Sequence, residues 1–474
     1  MDDRDLAFTP ALEQAAMLRR GELSPVELTE CYLTRIEALN PTINAYVTVA
    51  ADFAREHARA AERALRDAER PLPPFLGVPI SIKDLHDTAG IRSTYGTAAW
   101  HDRIPAVDDE VVARCKRAGF VFLGKTIVPE FGPLNISEPP AYPPGRNPWD
   151  PQRSCGGSSG GAAAALVAGL CAVSHGSDGG GSIRNPSAWC GAVGIKPQRG
   201  RVSAAPDSQQ FFSINGPIAR TVADAAALLD AMAGPATGDA WWAPPFERPL
   251  LQELGRAPER LRIAYHPHPG VERDACAPAN RGAVEETARL LESLGHTVEE
   301  AAPPGYAEDV VVQSSTIFAA QHAAAADRIP YPPLETLDPW MRTLVEMGRL
   351  VNAVDFVKAF DALQEMSRRT VAFFDDDGYD LFVSPTVAAA PPVVGSMSDA
   401  GIERVMEFWA LTPFTALWNT TGQPAMSLPL ATDDAGLPVG VQMVGRPADE
   451  AALVRVAAVL EAERPWIDRR PPVS

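Results

Sequence analysis

The sequence lacks the cysteine and histidine patterns of disulfide-rich and metal-binding proteins. Its 474 residues include six scattered cysteines with no CxxC pair, whereas a disulfide scaffold is far shorter and denser in cysteine. The eight histidines include no HExxH motif, and His266 and His268 stand in a proline-rich turn without a nearby cluster of thiols or carboxylates. We therefore expect neither a metal ion nor a cofactor.

Positive charge and long apolar runs are also scarce. The chain has 42 Lys and Arg against 60 Asp and Glu, a net charge of −18, whereas nucleic-acid binding depends on clustered Lys and Arg. No run reaches the ~18 apolar residues of a membrane span, and the first residues carry acids where a signal peptide is basic and then apolar. We expect a cytoplasmic monomer or homodimer that binds a small molecule, with no nucleic acid and no membrane as partner.

The composition that remains is that of a folded globular protein, with 46% hydrophobic and 22% charged residues. From Gly77 onwards, short β-type runs alternate with helical pieces, which predicts an α/β fold with covered sheet faces. No clean linker divides the chain, so we predict one domain over residues 1–474. Its expected parts are N-terminal helices (1–70), a catalytic core (71–230), variable loops and helices around the pocket (231–400) and a return to the core sheet (401–474).

Three glycines lead directly into Ser182 in the segment SDGGGSIR (177–184). Successive glycines let backbone N–H groups point into one concavity, which is what a tetrahedral oxyanion requires. A serine hydroxyl at the end of such a loop is a candidate nucleophile. The alternative is a glycine-rich turn with a solvent-facing serine, and this segment alone does not decide between the two.

A second glycine- and serine-rich segment, CGGSSGG (155–161), runs straight into the apolar helical sequence AAAALVAGL. The following helix would direct its partly positive N-terminus at the serines. Such runs are often flexible linkers, but a linker is less expected immediately before an apolar helix.

Lys83 interrupts the apolar, β-like run GVPISIKDL (77–85). Burial of a lysine lowers its pKa from ~10.4 towards values at which the amine acts as a base. The alternative is an ordinary lysine at the end of a strand, paired with Asp84.

Together, these three segments resemble, in order and spacing, those of the amidase-signature family. The resemblance implies a large, mixed, twisted sheet covered by helices on both faces, and hydrolysis of amide or carbamate C–N bonds by a serine amidase with possible esterase or urethanase activity. Some likeness to nylon-oligomer and cyclic-dimer hydrolases, and to carbamate-cleaving amidases, is present as well. Further matching segments are LGKTIVPEFG (123–132), RNPWDP (146–151), GPIARTVADAAALLD (216–230) and NTTGQPAMSLPL (419–430).

The resemblance also implies a role for each catalytic residue. Ser182 attacks the carbonyl and forms an acyl-enzyme, Ser158 relays its proton, and Lys83 is the terminal base. A cis peptide bond is expected at Gly157–Ser158. The backbone N–H groups expected to form the oxyanion hole belong to Gly179, Gly180, Gly181 and Ser182. Asp178 and Arg184 are expected to support the loop as a charge pair, and Gly132 and Ser159 to contact the substrate.

The sequence departs from the family pattern in ways that leave the substrate open. Many members have Thr-Asp-Thr where this chain has Ser177-Asp178-Gly179, and the segment 131–145 is rich in proline. The aromatic residues that are candidates for lining the pocket are Phe131, Tyr142, Phe211, Phe212, Trp241, Trp242, Phe318, Trp340 and Trp409.

Four other interpretations stay open at this stage. One is a non-catalytic, ligand-binding descendant of the family, although Lys83, Ser158 and Ser182 are all present. Residues 119–126 match G-x-x-x-x-G-K-[ST], the pattern of a phosphate-binding loop, although their interior is β-like. His175 could serve a conventional Ser–His–Asp hydrolase, although the chain has no G-x-S-x-G elbow. Within the family, the chain could be the glutaminase-like subunit of a tRNA-dependent amidotransferase.

Overall fold

The computed structural model describes residues 2–67, 71–206, 211–271, 275–327, 331–396, 407 and 409–474. Its α-helices are α1 (Asp3–Phe8), α2 (Ala11–Arg20), α3 (Pro25–Ile43), α4 (Ala51–Arg66), α5 (Glu110–Arg117), α6 (Gly160–Val167), α7 (Arg184–Cys190), α8 (Val222–Met232), α9 (Pro278–Ser293), α10 (Val310–Ala326), α11 (Pro339–Arg349), α12 (Ala353–Asp375), α13 (Leu417–Thr421) and α14 (Glu450–Glu463). Its strands are β1 (Tyr46–Val49), β2 (Pro79–Lys83), β3 (Val121–Thr126), β4 (Arg146–Asn147), β5 (Asp150–Ser154), β6 (Val173–Asp178), β7 (Val193–Lys196), β8 (Ile214–Ala219), β9 (Arg262–Tyr265), β10 (Thr297–Glu300), β11 (Leu381–Pro385), β12 (Ala425–Thr432) and β13 (Pro438–Gly445).

Within these residues, one mixed sheet of eleven strands has the order β1-β3-β2-β6-β8-β7-β12-β13-β11-β9-β10, and β4 and β5 form a separate pair. The central strands β2, β6 and β8 are buried at every residue, as expected of strands covered on both faces. Helices pack their apolar residues against this sheet in one large core. The α/β prediction is confirmed.

Strands come from more of the chain than the sequence predicted. The N-terminal segment, expected to be helical, also contains β1, which pairs antiparallel with β3. The segment 231–400, expected to hold loops and helices, supplies β9, β10 and β11 to one side of the sheet. These strands are four or five residues long, too short to be recognised by periodicity. Strands β12 and β13 return to the middle of the sheet, between β7 and β11.

The phosphate-loop interpretation of residues 119–126 is wrong. Residues 121–126 form the buried strand β3, which pairs with β1 and β2. Lys125 is fully buried, and its amine donates hydrogen bonds to the carbonyl of His86 and to Ser93 Oγ. No open loop is left there to surround a phosphate.

The sheet brings the two principal sequence motifs together. β2 and β6 are parallel neighbours, with Ile82 opposite His175. Strand β2 ends at Lys83, and β6 ends at Asp178, directly before the three glycines. Because parallel strands end at the same edge of a sheet, Lys83 lies beside the glycine loop, where α/β folds place their sites. Among the helices in the described ranges, none is long and apolar enough to cross a bilayer.

Candidate active site

The amine of Lys83 is removed from water and bonded to a serine. The residue is 1% exposed, and its Nζ donates hydrogen bonds to Ser158 Oγ at 2.8 Å and to the backbone carbonyl of Ser177 at 2.9 Å. Burial lowers the pKa of Lys83 to about 7, although the negative charge of Asp178 acts in the opposite direction. A substantial fraction of the amine is therefore neutral at physiological pH and able to accept a proton.

Ser158 and Ser182 line the same cavity, which has a volume of about 430 Å³. The peptide bond Gly157–Ser158 is cis, as expected. In the described part of the chain no hydrogen bond joins the two hydroxyls, while Ser159 N donates to the Ser182 carbonyl at 3.1 Å and so ties the two segments together. Catalytic hydrogen bonds are commonly long without substrate and shorten when it binds.

The glycine loop presents backbone donors to the cavity. A Cβ at Gly179 or Gly180 would meet no heavy atom within 4 Å, and both residues line the cavity. Among described groups, no protein acceptor takes the N–H of Gly179, Gly180 or Ser182. The N–H of Gly181, by contrast, donates to Asp178 Oδ1 at 2.7 Å. It is thus occupied, unlike the other three expected oxyanion donors.

Asp178 and Arg184 form the expected charge pair beneath the loop. Arg184 donates from Nη2 to Asp178 Oδ1 and from Nε to Oδ2, both at 2.9 Å, and both side chains are fully buried. The carboxylate also accepts from the backbone N–H of Ile183. Burial alone would raise the pKa of Asp178, but the charge and hydrogen bonds of Arg184 outweigh it and hold the pKa well below its ordinary value. The carboxylate therefore stays ionised and fixes the shape of the loop.

Two residues from the C-terminal part complete this network, and sequence reasoning did not identify either. Asn419 donates to the Asp178 backbone carbonyl at 2.8 Å and accepts from Arg184 Nη2 at 2.7 Å. Thr415 Oγ1 donates to the Gly180 carbonyl at 2.7 Å. Asn419 begins the matching segment 419–430, but nothing in that segment shows that its side chain reaches back to residue 178.

The two residues expected to contact the substrate differ in their position relative to the cavity. Gly132 lines the cavity, and a Cβ there would lie 3.6 Å from Ser158 Oγ and 2.4 Å from Leu85 Cδ1. Ser159 is fully buried outside the cavity lining, and its hydroxyl donates to the Ser177 carbonyl at 3.1 Å. The hydroxyl of Ser159 thus connects the two serine-bearing segments, and its contact with the substrate stays a prediction.

Aromatic rings form much of the cavity wall. The rings of Phe131 and Tyr331 stack at 4.7 Å, and Trp100 meets Phe131 edge-on at 5.2 Å. Of the aromatic candidates from the sequence, those in the lining are Phe131, Phe212, Phe318 and Trp409. The other five candidates do not line the cavity, whereas Tyr95, Trp100 and Tyr331 do and were missed. Aromatic character alone does not distinguish pocket from core.

A polar side of the cavity carries two carboxylates. Asp87 accepts two hydrogen bonds from Arg103, while Asp109 Oδ2 lies 3.2 Å from His86 Nδ1. Burial, and then the charge of Asp87, raise the pKa of Asp109 to about 7. Burial, and then the charges of two nearby lysines, lower the pKa of His86 to about 3, so its imidazole is neutral.

His175 does not occupy the position of a general base for Ser182. Its Nε2 lies 3.2 Å from Asn215 Oδ1, and the ring is fully buried against His86 at a centroid distance of 4.7 Å. Among described residues no hydrogen bond connects it to Ser182, so the geometry disfavours a Ser–His–Asp relay. In the described ranges, no group of three or more His, Cys, Asp or Glu side chains is arranged to hold a metal ion.

Comparison with known proteins identifies the family. A family model described as Amidase matches residues 27–454, so the chain belongs to the amidase family. AmiB2 of Mycobacterium tuberculosis is 41% identical over 483 residues, covering 100% of both chains. A 6-aminohexanoate-cyclic-dimer hydrolase of Paenarthrobacter ureafaciens is 35% identical over 492 residues, covering 97% of this chain and 96% of its own.

Solved structures agree with this assignment. A 6-aminohexanoate cyclic dimer hydrolase complexed with substrate superposes with a TM-score of 0.93 and 33% identity, covering 98% of this chain and 99% of the other. A bacterial aryl acylamidase of the amidase-signature family superposes with a TM-score of 0.87 and 25% identity, covering 97% of both chains. The protein is therefore an amidase-family hydrolase acting on C–N amide bonds, with the amidase-signature fold.

Proposed function

We propose that this amidase cleaves the amide or carbamate C–N bond of a small, largely apolar molecule through an acyl-enzyme on Ser182. The observation that carries the proposal is the 2.8 Å hydrogen bond between the buried amine of Lys83 and Ser158 Oγ, at a cavity that Ser182 also lines. A carbamate is included because its carbonyl offers the nucleophile the same approach as an amide.

The first half of the reaction transfers a proton and forms the acyl-enzyme. Neutral Lys83 accepts the Ser158 proton while Ser158 accepts that of Ser182, and Ser182 Oγ bonds to the carbonyl carbon. The N–H groups of Gly179, Gly180 and Ser182 stabilise the resulting oxyanion; a well-placed donor contributes roughly 3–4 kcal/mol. The Lys83 ammonium then returns its proton through Ser158 to the leaving nitrogen, and the C–N bond breaks.

The second half repeats the same proton path with water. Water loses a proton to the relay and attacks the acyl carbon, and Ser182 departs with the returned proton, releasing an acid. Protonation of the leaving nitrogen is the demanding step, because amines leave poorly as anions. A base that returns its proton is therefore of more value for amides than for esters.

The cavity favours a neutral substrate over glutamine. In the part of the chain that the structure describes, the lining contains neither Lys nor Arg, and its charged residues are the carboxylates Asp87 and Asp109. The α-carboxylate of glutamine would meet no cation there. A glutamyl-tRNA(Gln) amidotransferase component from Thermotoga maritima has a similar fold, with a TM-score of 0.79 and 28% identity, below the 0.93 of the cyclic-dimer hydrolase. We therefore prefer a free-standing hydrolase, as a monomer or homodimer, over a component of an amidotransferase.

A hydrolysis screen tests the proposal. Anilides, primary amides, linear and cyclic oligoamides, carbamates and glutamine are compared for the wild type, Lys83→Ala and Ser182→Ala. We expect turnover of neutral amides, with kcat lost by a factor of at least ~10³ in both variants. Glutamine-dependent ammonia release without turnover of neutral amides, or full activity in either variant, would contradict the proposal.

A further inference from the structure

His322 on helix α10 lines the cavity but has no part in the proton relay. It is 7% exposed, and the surface that remains accessible faces the cavity. Helix α10 packs against α11 through an apolar cluster, and the cavity-lining residues Phe131, Phe318 and Tyr331 pack against the same cluster. The buried members of this cluster are Ala319, Ala323, Leu337, Met341, Leu344 and Val345.

One hydrogen bond fixes the proton of this imidazole. Nδ1 lies 2.8 Å from the carbonyl oxygen of Phe318, which only accepts, so Nδ1 carries the hydrogen. Burial lowers the pKa of His322, although the same carbonyl acts in the opposite direction, so the ring is neutral near pH 7. Nε2 is therefore a fixed hydrogen-bond acceptor. Within the described ranges no protein donor bonds to Nε2. This atom is also not one of the fully buried polar atoms that lack a partner, so it remains accessible.

The imidazole of His322 has aromatic neighbours, and Ser314, Ser315 and Gln321 of the same helix also line the cavity. The Phe318 ring packs against the imidazole at 4.3 Å, and Phe131 and Tyr331 stack in the same cluster. The neighbouring Ser315 hydroxyl, also at the cavity, donates to the Val312 carbonyl at 2.7 Å. An apolar substrate in this cavity would displace water from Nε2 and leave it without a hydrogen-bond donor. A substrate that carries its own N–H group would replace the lost hydrogen bond.

We infer that His322 Nε2 accepts a hydrogen bond from a neutral N–H group of the substrate, such as a second amide separated from the scissile bond by an apolar chain. The inference rests on the proposed function, because it assigns substrate selection to the same cavity. A neutral N–H costs less to bring among aromatic rings than an ammonium, and an ammonium would be drawn to the carboxylates of Asp87 and Asp109. His322 thus selects substrates that carry a second N–H group.

Matched ligands isolate this hydrogen bond. The ligands are anilides whose acyl chain ends in a secondary acetamide, and the same compounds with that acetamide N-methylated. A mirrored series carries the distal acetamide on the amine side of the scissile bond. Binding is measured by calorimetry in the Ser182→Ala background, and kcat/KM is measured in the active enzyme.

The expected result is a preference of about 3- to 10-fold for the N–H ligand over its N-methyl partner in one of the two series, the usual effect of one net hydrogen bond. His322→Phe should reduce this ratio to about one, by weakening only the N–H ligand. His322→Gln, which restores a carbonyl acceptor, should recover part of the ratio. Ser315→Ala should keep the wild-type ratio if His322 Nε2 is the acceptor, whereas a lost ratio would assign the N–H contact to the Ser315 oxygen and overturn the inference.

Three further outcomes would overturn the inference: no N–H preference in either series, no measurable binding of the N–H ligands, or an equal loss of both ligands in His322→Phe. An equal loss would mean that the residue only maintains the cavity wall. Failure of the proposed function would look different, because the binding ratio in the Ser182→Ala background would persist while the active enzyme failed to turn the anilides over.

Discussion

At the residue scale, the proposed chemistry depends on a lysine whose amine has no carboxylate as a direct partner. The carboxylate of Asp178 raises the pKa of Lys83 through its charge but is bonded to Arg184. The two direct partners of the Lys83 amine are the Ser158 hydroxyl and the Ser177 carbonyl, both uncharged. Arg184 therefore fixes the shape of the loop. Its positive charge also offsets that of Asp178 and so limits the increase that Asp178 causes in the pKa of Lys83.

The adjacent serines 158 and 159 provide a matched pair of variants. Ser158→Ala removes the hydroxyl bonded to Lys83 and should lower kcat by a factor of about 10² to 10⁴, the usual contribution of proton transfer. Ser159→Ala removes a buried hydrogen bond to the Ser177 carbonyl and should lower the free energy of unfolding by about 1–3 kcal/mol, with a smaller effect on kcat. Steady-state kinetics and urea unfolding separate the two, and equal kcat values would contradict the assignment.

The sequence pointed to the proposed catalytic residues and to the supporting pair Asp178 and Arg184, but not to Asn419 and Thr415. Lys83, Ser158 and Ser182 stand in segments whose composition is unusual, so a single chain is enough to notice them. Asn419 belongs to an ordinary polar stretch, and its role depends on a contact across 241 residues of sequence. Neighbouring serines look alike in sequence, whereas in the structure Ser158 lines the cavity and the Ser159 hydroxyl bonds to the Ser177 carbonyl.

At the element scale, the loop between β6 and α7 tolerates a side chain at one glycine and not at the next. Gly181 has φ +129°, and a Cβ there would lie 2.3 Å from Thr415 Oγ1 and 2.4 Å from Asn185 Nδ2. Gly181→Ala should therefore lower the free energy of unfolding by roughly 2–4 kcal/mol and misplace the oxyanion donors. Gly180→Ala, with open space at its Cβ, should unfold like the wild type. Thermal unfolding of both variants checks this, and equal midpoints would contradict it.

The short helix α13 contacts the loop between β6 and α7 through Asn419. Asn419 donates to Asp178 and to the Phe212 carbonyl and accepts from Arg184, so Asn419→Ala leaves several buried groups unpaired. We expect the free energy of unfolding to fall by about 2–4 kcal/mol, and kcat to fall with it. Thr421→Ala, on the same helix but half-buried, should cost under ~1 kcal/mol. Urea unfolding measures both variants. An equal loss of the free energy of unfolding in Asn419→Ala and Thr421→Ala would contradict the prediction.

Elements with strong local signals were predictable, and those shaped by distant contacts were not. The apolar run 77–85 contains β2, and the segment 401–474, expected to return to the core sheet, contains β12 and β13. Helix α6 (Gly160–Val167) coincides with most of the apolar sequence AAAALVAGL that was expected to be helical. Helix α10 lies in the segment 231–400 that was expected around the pocket, and its Phe318 was a candidate for the lining. Its other lining residues, such as Ser315 and His322, were not predicted, because a helix carries no sequence signal for the site that it faces.

At the scale of the whole molecule, the low pKa of Lys83 is a property of the assembled sheet. Strand β2 lies between β3 and β6, and the sheet also takes in strands from both ends of the chain. The order of these strands depends on long-range packing, which local periodicity does not encode, so the sequence predicted an α/β class and not this arrangement. Only when the sheet and its covering helices have formed is the amine deprived of water.

The measurement that tests the central claim most directly is the rate at which a sulfonyl fluoride labels the protein as a function of pH, with the site located by mass spectrometry. The label should fall on Ser182, and the rate should rise with pH around a midpoint near 7, because the neutral form of Lys83 predominates above its pKa of about 7. Asp109→Asn should keep this midpoint, although the pKa of Asp109 is also about 7, whereas Lys83→Ala should abolish the pH-dependent labelling. Label on another residue, or the same pH dependence in Lys83→Ala, would contradict the account.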